Sequence, residues 1–168
     1  MEETVRIAGV VNDSIVDGPG FRLTVFTQGC PHRCPGCHNP QSHDPAGGRE
    51  ETVASLVEKL KSNPLLDGLT LSGGEPFLQP RPLAALAQEA HALHLTVWTY
   101  TGYTYEELLS GAAGEDALLL LAQTDVLVDG RFILAQRTLE APFRGSANQR
   151  LIDVPASQAA GSPVHWQG

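Results

Sequence analysis

Cationic side chains are scarce in this sequence: eleven Lys and Arg stand against nineteen Asp and Glu, a formal charge of −8 at pH 7 over 168 residues. A surface for a nucleic-acid backbone needs clustered cations to displace condensed counterions, so that class of partner is excluded. A free nucleotide or a nucleotide-linked cofactor is not. No apolar run approaches the ~20 residues that span a bilayer, which excludes a membrane helix. Met1 to Arg6 carry acid and no apolar core of the signal-peptide kind, so a cytoplasmic location is expected. Cysteine is limited to Cys30, Cys34 and Cys37, all within eight residues. An odd number at such spacing makes a poor disulfide framework, and a reducing compartment disfavours disulfides further. What remains, 42% hydrophobic and 18% charged, is an ordinary globular balance in a chain long enough for one domain.

Val5–Val11 and Arg22–Gln28 read as strands, separated by the turn cluster Asp17-Gly18-Pro19-Gly20. Val53, Leu56, Val57 and Leu60 recur at helical spacing until Asn63-Pro64 stops them. Leu69–Ser72 is a short strand running into Gly73-Gly74, and Leu83, Leu86, Ala87 and Ala90 mark a second amphipathic helix. Leu95–Tyr100 is rich in strand formers, and Thr104 with Glu107 forms a capping box. A weaker helical pattern covers Ala117–Ala122, and Val126–Val128 is another buried strand. Strands alternating with helices predict an α/β fold, and the chain is too short for an eight-unit barrel of ~250 residues. The expectation is an incomplete (β/α) barrel with a mainly parallel sheet of roughly four to six strands. Residues 1–155 form the expected domain. Residues 156–168, rich in Ala, Ser, Gly and Gln, are expected to be a loosely held tail. No internal repeat is present.

The cysteines form Cys30-x3-Cys34-x2-Cys37, in the loop that follows a predicted strand. Pro31, Pro35 and Gly36 stiffen a loop able to wrap its thiolates around a compact object. Functional loops of parallel βα folds sit at this end of the strands. The sharpest reading is a [4Fe–4S] cluster held by three thiolates, with one iron left open for a ligand, since cubane clusters usually take four cysteines and no fourth exists. Zinc takes three thiolates and a histidine readily, and His32, His38 and His43 stand close by. Structural cysteines without a metal are a third reading.

The flanking residues narrow these alternatives. Asp17-Gly18-Pro19-Gly20-Phe21-Arg22, Phe26-Thr27-Gln28-Gly29-Cys30 and Cys37-His38-Asn39-Pro40 resemble the N-terminal block of glycyl-radical-enzyme activases of the radical S-adenosylmethionine superfamily. Leu71–Pro76, Trp98–Tyr103, Asp125–Gly130 and Phe143–Arg150 are similar to the branch that acts on anaerobic ribonucleoside-triphosphate reductase. The resemblance runs in order from about Asp17 to Asp153.

It implies a radical S-adenosylmethionine fold, a [4Fe–4S] cluster on Cys30, Cys34 and Cys37, and S-adenosylmethionine chelated at the open iron. One electron then splits the sulfonium, and the resulting radical takes hydrogen from a glycine of the partner. No acid–base pair is required, because the cofactor carries the difficult step. The implied partners are the reductase and an electron donor such as flavodoxin or ferredoxin.

Within this scheme Gly73 and Gly74 allow close backbone approach to the ligand, and Glu75 is an acceptor suited to its cationic amine; a plain turn is the competing reading. Asp129 would hold ribose hydroxyls or the methionyl carboxylate, or simply end a strand. Many enzymes of the superfamily carry an aromatic residue before the third cysteine, where this chain has Gly36; the adenine contact would then fall to His38 and the backbone of Gly36 and Cys37, unless His38 simply stabilises the loop. Arg144–Arg150 would be a docking edge for the partner or a closure of the sheet, with Ala147 where the family usually has Ser. His91, His94 and His165 read as surface or satisfied histidines. Two other functions stay open: activation of another glycyl radical enzyme of the pyruvate formate-lyase type, and a non-catalytic iron–sulfur or zinc module.

Overall fold

In the computed structural model, residues 3–32, 34, 43–138 and 140–167 are described. Seven strands form one open sheet: β1 (Thr4–Ser14), β2 (Arg22–Thr27), β3 (Arg49–Thr52), β4 (Gly68–Gly73), β5 (Thr96–Tyr100), β6 (Val126–Asp129) and β7 (Arg150–Asp153). Their order is β3-β1-β2-β4-β5-β6-β7. The central strands β2, β4, β5 and β6 are parallel neighbours, whereas β1 runs antiparallel to both β2 and β3, and β7 antiparallel to β6.

The expectation of a mainly parallel sheet of fewer strands is therefore corrected to a seven-strand mixed sheet. The cause is at the edges. An antiparallel neighbour needs only a chain reversal, without the helical crossover that makes a βα unit legible. β3, with the sequence Arg-Glu-Glu-Thr, is an exposed edge with no apolar alternation to announce it.

The helices are α1 (Val53–Ser62), α2 (Pro80–Ala92), α3 (Tyr105–Ser110), α4 (Ala117–Ala122) and α5 (Val154–Ala160). The Thr52 side chain caps α1 by accepting from Ser55 N at 3.0 Å, and the Thr104–Glu107 capping box of α3 is formed in both directions. Leu56, Val57 and Leu60 of α1 and Leu83, Leu86, Ala87 and Ala90 of α2 are buried, as their spacing predicts. They pack with Leu23, Val25, Leu69, Leu71, Val97 and Leu127 of the sheet into the main core.

Alternation along the strands sends the intervening residues to the opposite face. There Trp98, Val126 and Val128 form a second cluster joined by Phe143 and Trp166. Arg22, fully buried, lies across the starts of the parallel strands. Its guanidinium donates to Thr70 Oγ1 (2.8 Å), Pro19 O (3.0 Å), Thr96 Oγ1 (3.0 Å), Leu69 O (3.1 Å) and Thr96 O (2.9 Å). It also sits 5.7 Å from the Trp98 ring centre. Burial lowers its pKa to about 10. A Cβ at Gly68 would overlap this guanidinium, so a side chain at the first residue of β4 would have to displace it. Arg22 and Trp98 thus fill the end of the sheet where the parallel strands begin, opposite the end where they finish.

The segment after Pro155, read from its composition as loosely held, packs on this plug. Asp153 caps α5 through Ala156 N at 3.0 Å. Trp166 N donates to Leu151 O at 2.9 Å, and the Trp166 ring meets Trp98 edge-on at 4.9 Å. One aromatic anchor outweighs a run of small polar residues. Among the described residues, no helix is long and apolar enough to cross a membrane.

Candidate active site at the ends of the parallel strands

A cavity of about 370 Å³ opens where β2, β4, β5 and β6 end; its lining includes Cys30, Cys34, Gly73, Gly74, Tyr100 and Arg144. That volume lies within the range of small-molecule sites. Cys30 follows the end of β2 after Gly29, whose φ of 106° is the left-handed kind that glycine supplies freely. Its N–H donates to His43 O at 3.1 Å, which ties both ends of the cysteine loop together. Cys30 and Cys34 are both partly buried at the cavity. Gly36, Cys37 and His38 lie outside the described residues. His43 also lines the cavity, and its Nε2 is buried without a hydrogen-bond partner among the described residues. A set of soft thiolates facing one cavity suits an iron–sulfur cluster.

Gly73 and Gly74 line the cavity, but the first has an additional task. Gly73 has φ 105°, and a Cβ there would overlap the backbone N and O of Thr27. Gly74 N donates to Thr27 O at 2.9 Å and Glu75 N to Gly29 O at 2.7 Å. The glycine pair therefore draws the β4 turn against the root of the cysteine loop. Glu75 does not line the cavity. Its carboxylate is fully buried and accepts from Thr101 Oγ1 (2.8 Å to each oxygen), Gly102 N (2.8 Å) and Phe77 N (3.1 Å), with His32 Nε2 at 2.6 Å.

Asp129 is also withdrawn. Almost completely buried, it accepts from Tyr105 N at 2.8 Å and pairs with Arg150 through Nε at 3.0 Å and through Nη2. Its neighbour Gly130 is the residue that reaches the cavity.

The polar block Arg144–Arg150 splits in two. Arg150 spans Asp129 and Glu106, the latter at 2.5 Å, and is part of the frame. Hydrogen bonding to Arg150 in turn lowers the Glu106 pKa. Arg144 lines the cavity, with Nη1 donating to Gln149 O at 3.2 Å and a buried Nε that has no acceptor among the described residues. The preceding Phe143 has φ 63°, a conformation that bulky residues rarely adopt, and its ring sits 5.2 Å from Trp98. Gln149 braces the turn, accepting from Gly145 N (2.9 Å) and Ser146 N (3.2 Å) and donating to Gly130 O (3.0 Å). His91, read as a satisfied histidine, contacts Asp125 at 2.9 Å and Gln123 at 3.1 Å.

Tyr100 and Phe143 line the cavity without having been assigned a role from sequence, although both stand in the recognised motifs. Burial, with the Asp17 charge adding to it, pushes the Tyr100 phenol far above its ordinary range. Burial raises Tyr103 and Tyr105 as well. A folded-state pKa above the unfolded value contributes stability that is complete below pH ~10 and is lost as pH rises beyond it. Alkaline titration of tyrosinate absorbance should therefore rise together with loss of far-ultraviolet circular dichroism; full ionisation in a still-folded chain would contradict the burial of these phenols.

The sequence matches a family model described as a 4Fe-4S single cluster domain over residues 16–152. It is 37% identical over 144 residues to the anaerobic ribonucleoside-triphosphate reductase-activating protein of Vibrio cholerae, covering 80% of this chain and 89% of that protein. The protein of the same name from Pasteurella multocida matches with the same identity and coverage. A pyruvate formate-lyase-activating enzyme of Clostridium pasteurianum is 41% identical over 114 residues, but these make up 62% of this chain and 48% of that enzyme. The matched region contains the cysteine loop and every parallel strand that ends at the cavity, and on that evidence the chain belongs to the 4Fe-4S single cluster domain family, alongside the anaerobic ribonucleoside-triphosphate reductase-activating proteins.

Proposed function

We propose that this chain is a radical S-adenosylmethionine enzyme that generates the glycyl radical of an anaerobic ribonucleoside-triphosphate reductase. The observation that carries the reading is the meeting of Cys30 and Cys34 with the Gly73-Gly74 turn at one cavity, in a chain aligned over most of its length with reductase activators. The activase domain is residues 1–155. Cys30, Cys34 and Cys37 hold a [4Fe–4S] cluster, the Gly73-Gly74 backbone faces the methionyl end of S-adenosylmethionine, and His38 with the Gly36–Cys37 backbone meets the adenine. When bound, the cluster and S-adenosylmethionine supply the electron and the hydrogen-abstracting group; the chain binds, orients and excludes water. Phe132, Phe143 and Tyr100 give the cavity an aromatic wall suited to that exclusion. Asp129 acts through Arg150 and Gly130 by holding the end of β6 in place. A flavodoxin or ferredoxin is the proposed electron donor. The longer match to the reductase activators favours this partner over pyruvate formate-lyase.

Anaerobic reconstitution with iron and sulfide should yield a cubane of about four irons per chain. After reduction, S-adenosylmethionine should be cleaved to methionine and 5′-deoxyadenosine, and added reductase should show a glycyl-radical resonance. Stoichiometric zinc in anaerobically purified protein would overturn the cluster, and radical formation on pyruvate formate-lyase alone would redirect the partner.

The two arginines of the late block separate in this assay. Arg150→Ala leaves the buried Asp129 without its cation and should cost about 3 kcal/mol of stability, the low end for a broken pair because Arg150 keeps some water contact. Arg144→Ala should leave the denaturation midpoint nearly unchanged yet lower reductase activation. Equal destabilisation by both would make the whole block structural.

A further inference from the structure

We propose that His32 and Glu75 are a positioning pair that holds the cysteine loop in its cluster-binding shape, so that the acid of the Gly-Gly-Glu-Pro turn serves cluster retention and not direct recognition of the S-adenosylmethionine amine. The inference rests on the cluster reading above and assigns these two residues a task within it. His32 stands between Cys30 and Cys34, and its side chain is 4% exposed. Its Nε2 lies 2.6 Å from Glu75 Oε1, its ring meets Tyr103 edge-on at 4.6 Å, and a Cβ at Gly102 would overlap it. The histidine is thus seated in a slot formed by the segment after β5, with a carboxylate at the bottom.

That carboxylate has no capacity left for a ligand. It accepts from Thr101, Gly102 and Phe77 as well as meeting His32, and it is fully buried. Burying a charge is tolerated only where partners replace its water, and Glu75 has found them in three separate segments. The Glu75 N–H adds a bond to Gly29 O beside Cys30. One residue therefore joins the turn after β4, the turn after β5 and the cysteine loop from both its main chain and its side chain. Ligand thiolates on a loop hold a cluster well only if the loop does not stray, and outer-shell hydrogen bonds commonly provide that restraint.

The test uses anaerobically reconstituted wild type, His32→Ala and His32→Gln, with folding checked by circular dichroism. Loss of the cluster's visible absorbance is followed under a ferrous-iron chelator, and S-adenosylmethionine affinity is measured per intact cluster. His32→Ala should lose its cluster roughly tenfold faster, the factor expected when a hydrogen bond to a charged acceptor is removed. Glutamine places an amide N–H near the position of Nε2, so His32→Gln should recover most of the lifetime. Affinity per intact cluster should stay close to wild type in both.

An unchanged lifetime in His32→Ala overturns the pair, as does equally fast loss in both variants, which would assign the effect to the ring and not to its bond with Glu75. A normal lifetime with weakened S-adenosylmethionine binding returns Glu75 to ligand recognition. Failure of the wild type itself to assemble a cluster is a different result and overturns the functional reading.

Discussion

Replacing Cys30 with serine is expected to abolish cluster assembly and reduce S-adenosylmethionine cleavage to background. A serine hydroxyl is a hard, weakly acidic donor in place of a soft thiolate, and only Cys34 and Cys37 would remain to hold the iron. The fold should survive. Cys30 is partly exposed at a cavity rim, and the bond from its main-chain N–H to His43 O does not depend on the side chain. Iron and sulfide analysis, visible absorbance and 5′-deoxyadenosine release on the same preparation check this, with circular dichroism as the control for folding. Full iron content and full cleavage in the variant would remove Cys30 from the donor set, and with it the main support for the cluster.

The largest loss of stability is expected for Arg22→Ala, about 3–5 kcal/mol by urea denaturation, from the cavity left behind and the acceptors stripped of their donor. Five acceptors lose a hydrogen bond at once, and Trp98 loses the cation packed near its ring. Against a typical total stability of ~5–15 kcal/mol this is enough to unfold a marginal chain. Arg22→Lys should recover little, because one ammonium cannot reproduce a planar fork that spans β4 and β5. The effect should reach the active site. Thr70 Oγ1, which accepts from Arg22, donates to Asp17 O at 2.6 Å, and Asp17 lines the cavity. A loss below ~1 kcal/mol would mean that water replaces the guanidinium and that this end of the sheet is not a dry plug.

Local order was legible because its causes are local. The apolar spacing of α1 and α2, the Thr104–Glu107 capping box and the break at Asn63-Pro64 each involve residues within a turn or two of one another. The short parallel strands Leu69–Ser72 and Val126–Val128 were equally readable, the first from the alternation of Leu with Thr and Ser and the second from a continuous apolar run of the kind that strands covered on both faces carry. β3 and β7 carry no such signal. They exist because β1 and β6 offer unpaired edges, and an edge accepts an indifferent sequence if the chain passes close enough.

The candidate site divides along the same line. By itself the sequence determined where the proposed metal donors and the proposed ligand turn stand: three cysteines at a spacing that can enclose a compact object, and two glycines after a strand, are properties of short segments. Only the tertiary structure decided which polar groups remain available to a ligand. Glu75 and Asp129 look like ligand-binding acids in the sequence, but Thr101 and Gly102 satisfy the first from the turn after β5, and Arg150 and Tyr105 satisfy the second from β7 and α3. Arg144 and Arg150 look alike in the sequence and part company only when the sheet brings Asp129 and Glu106 to one of them. A buried polar group is used up by whichever donor or acceptor the fold delivers, and those partners stand twenty or more residues away in the chain, beyond the reach of any local pattern.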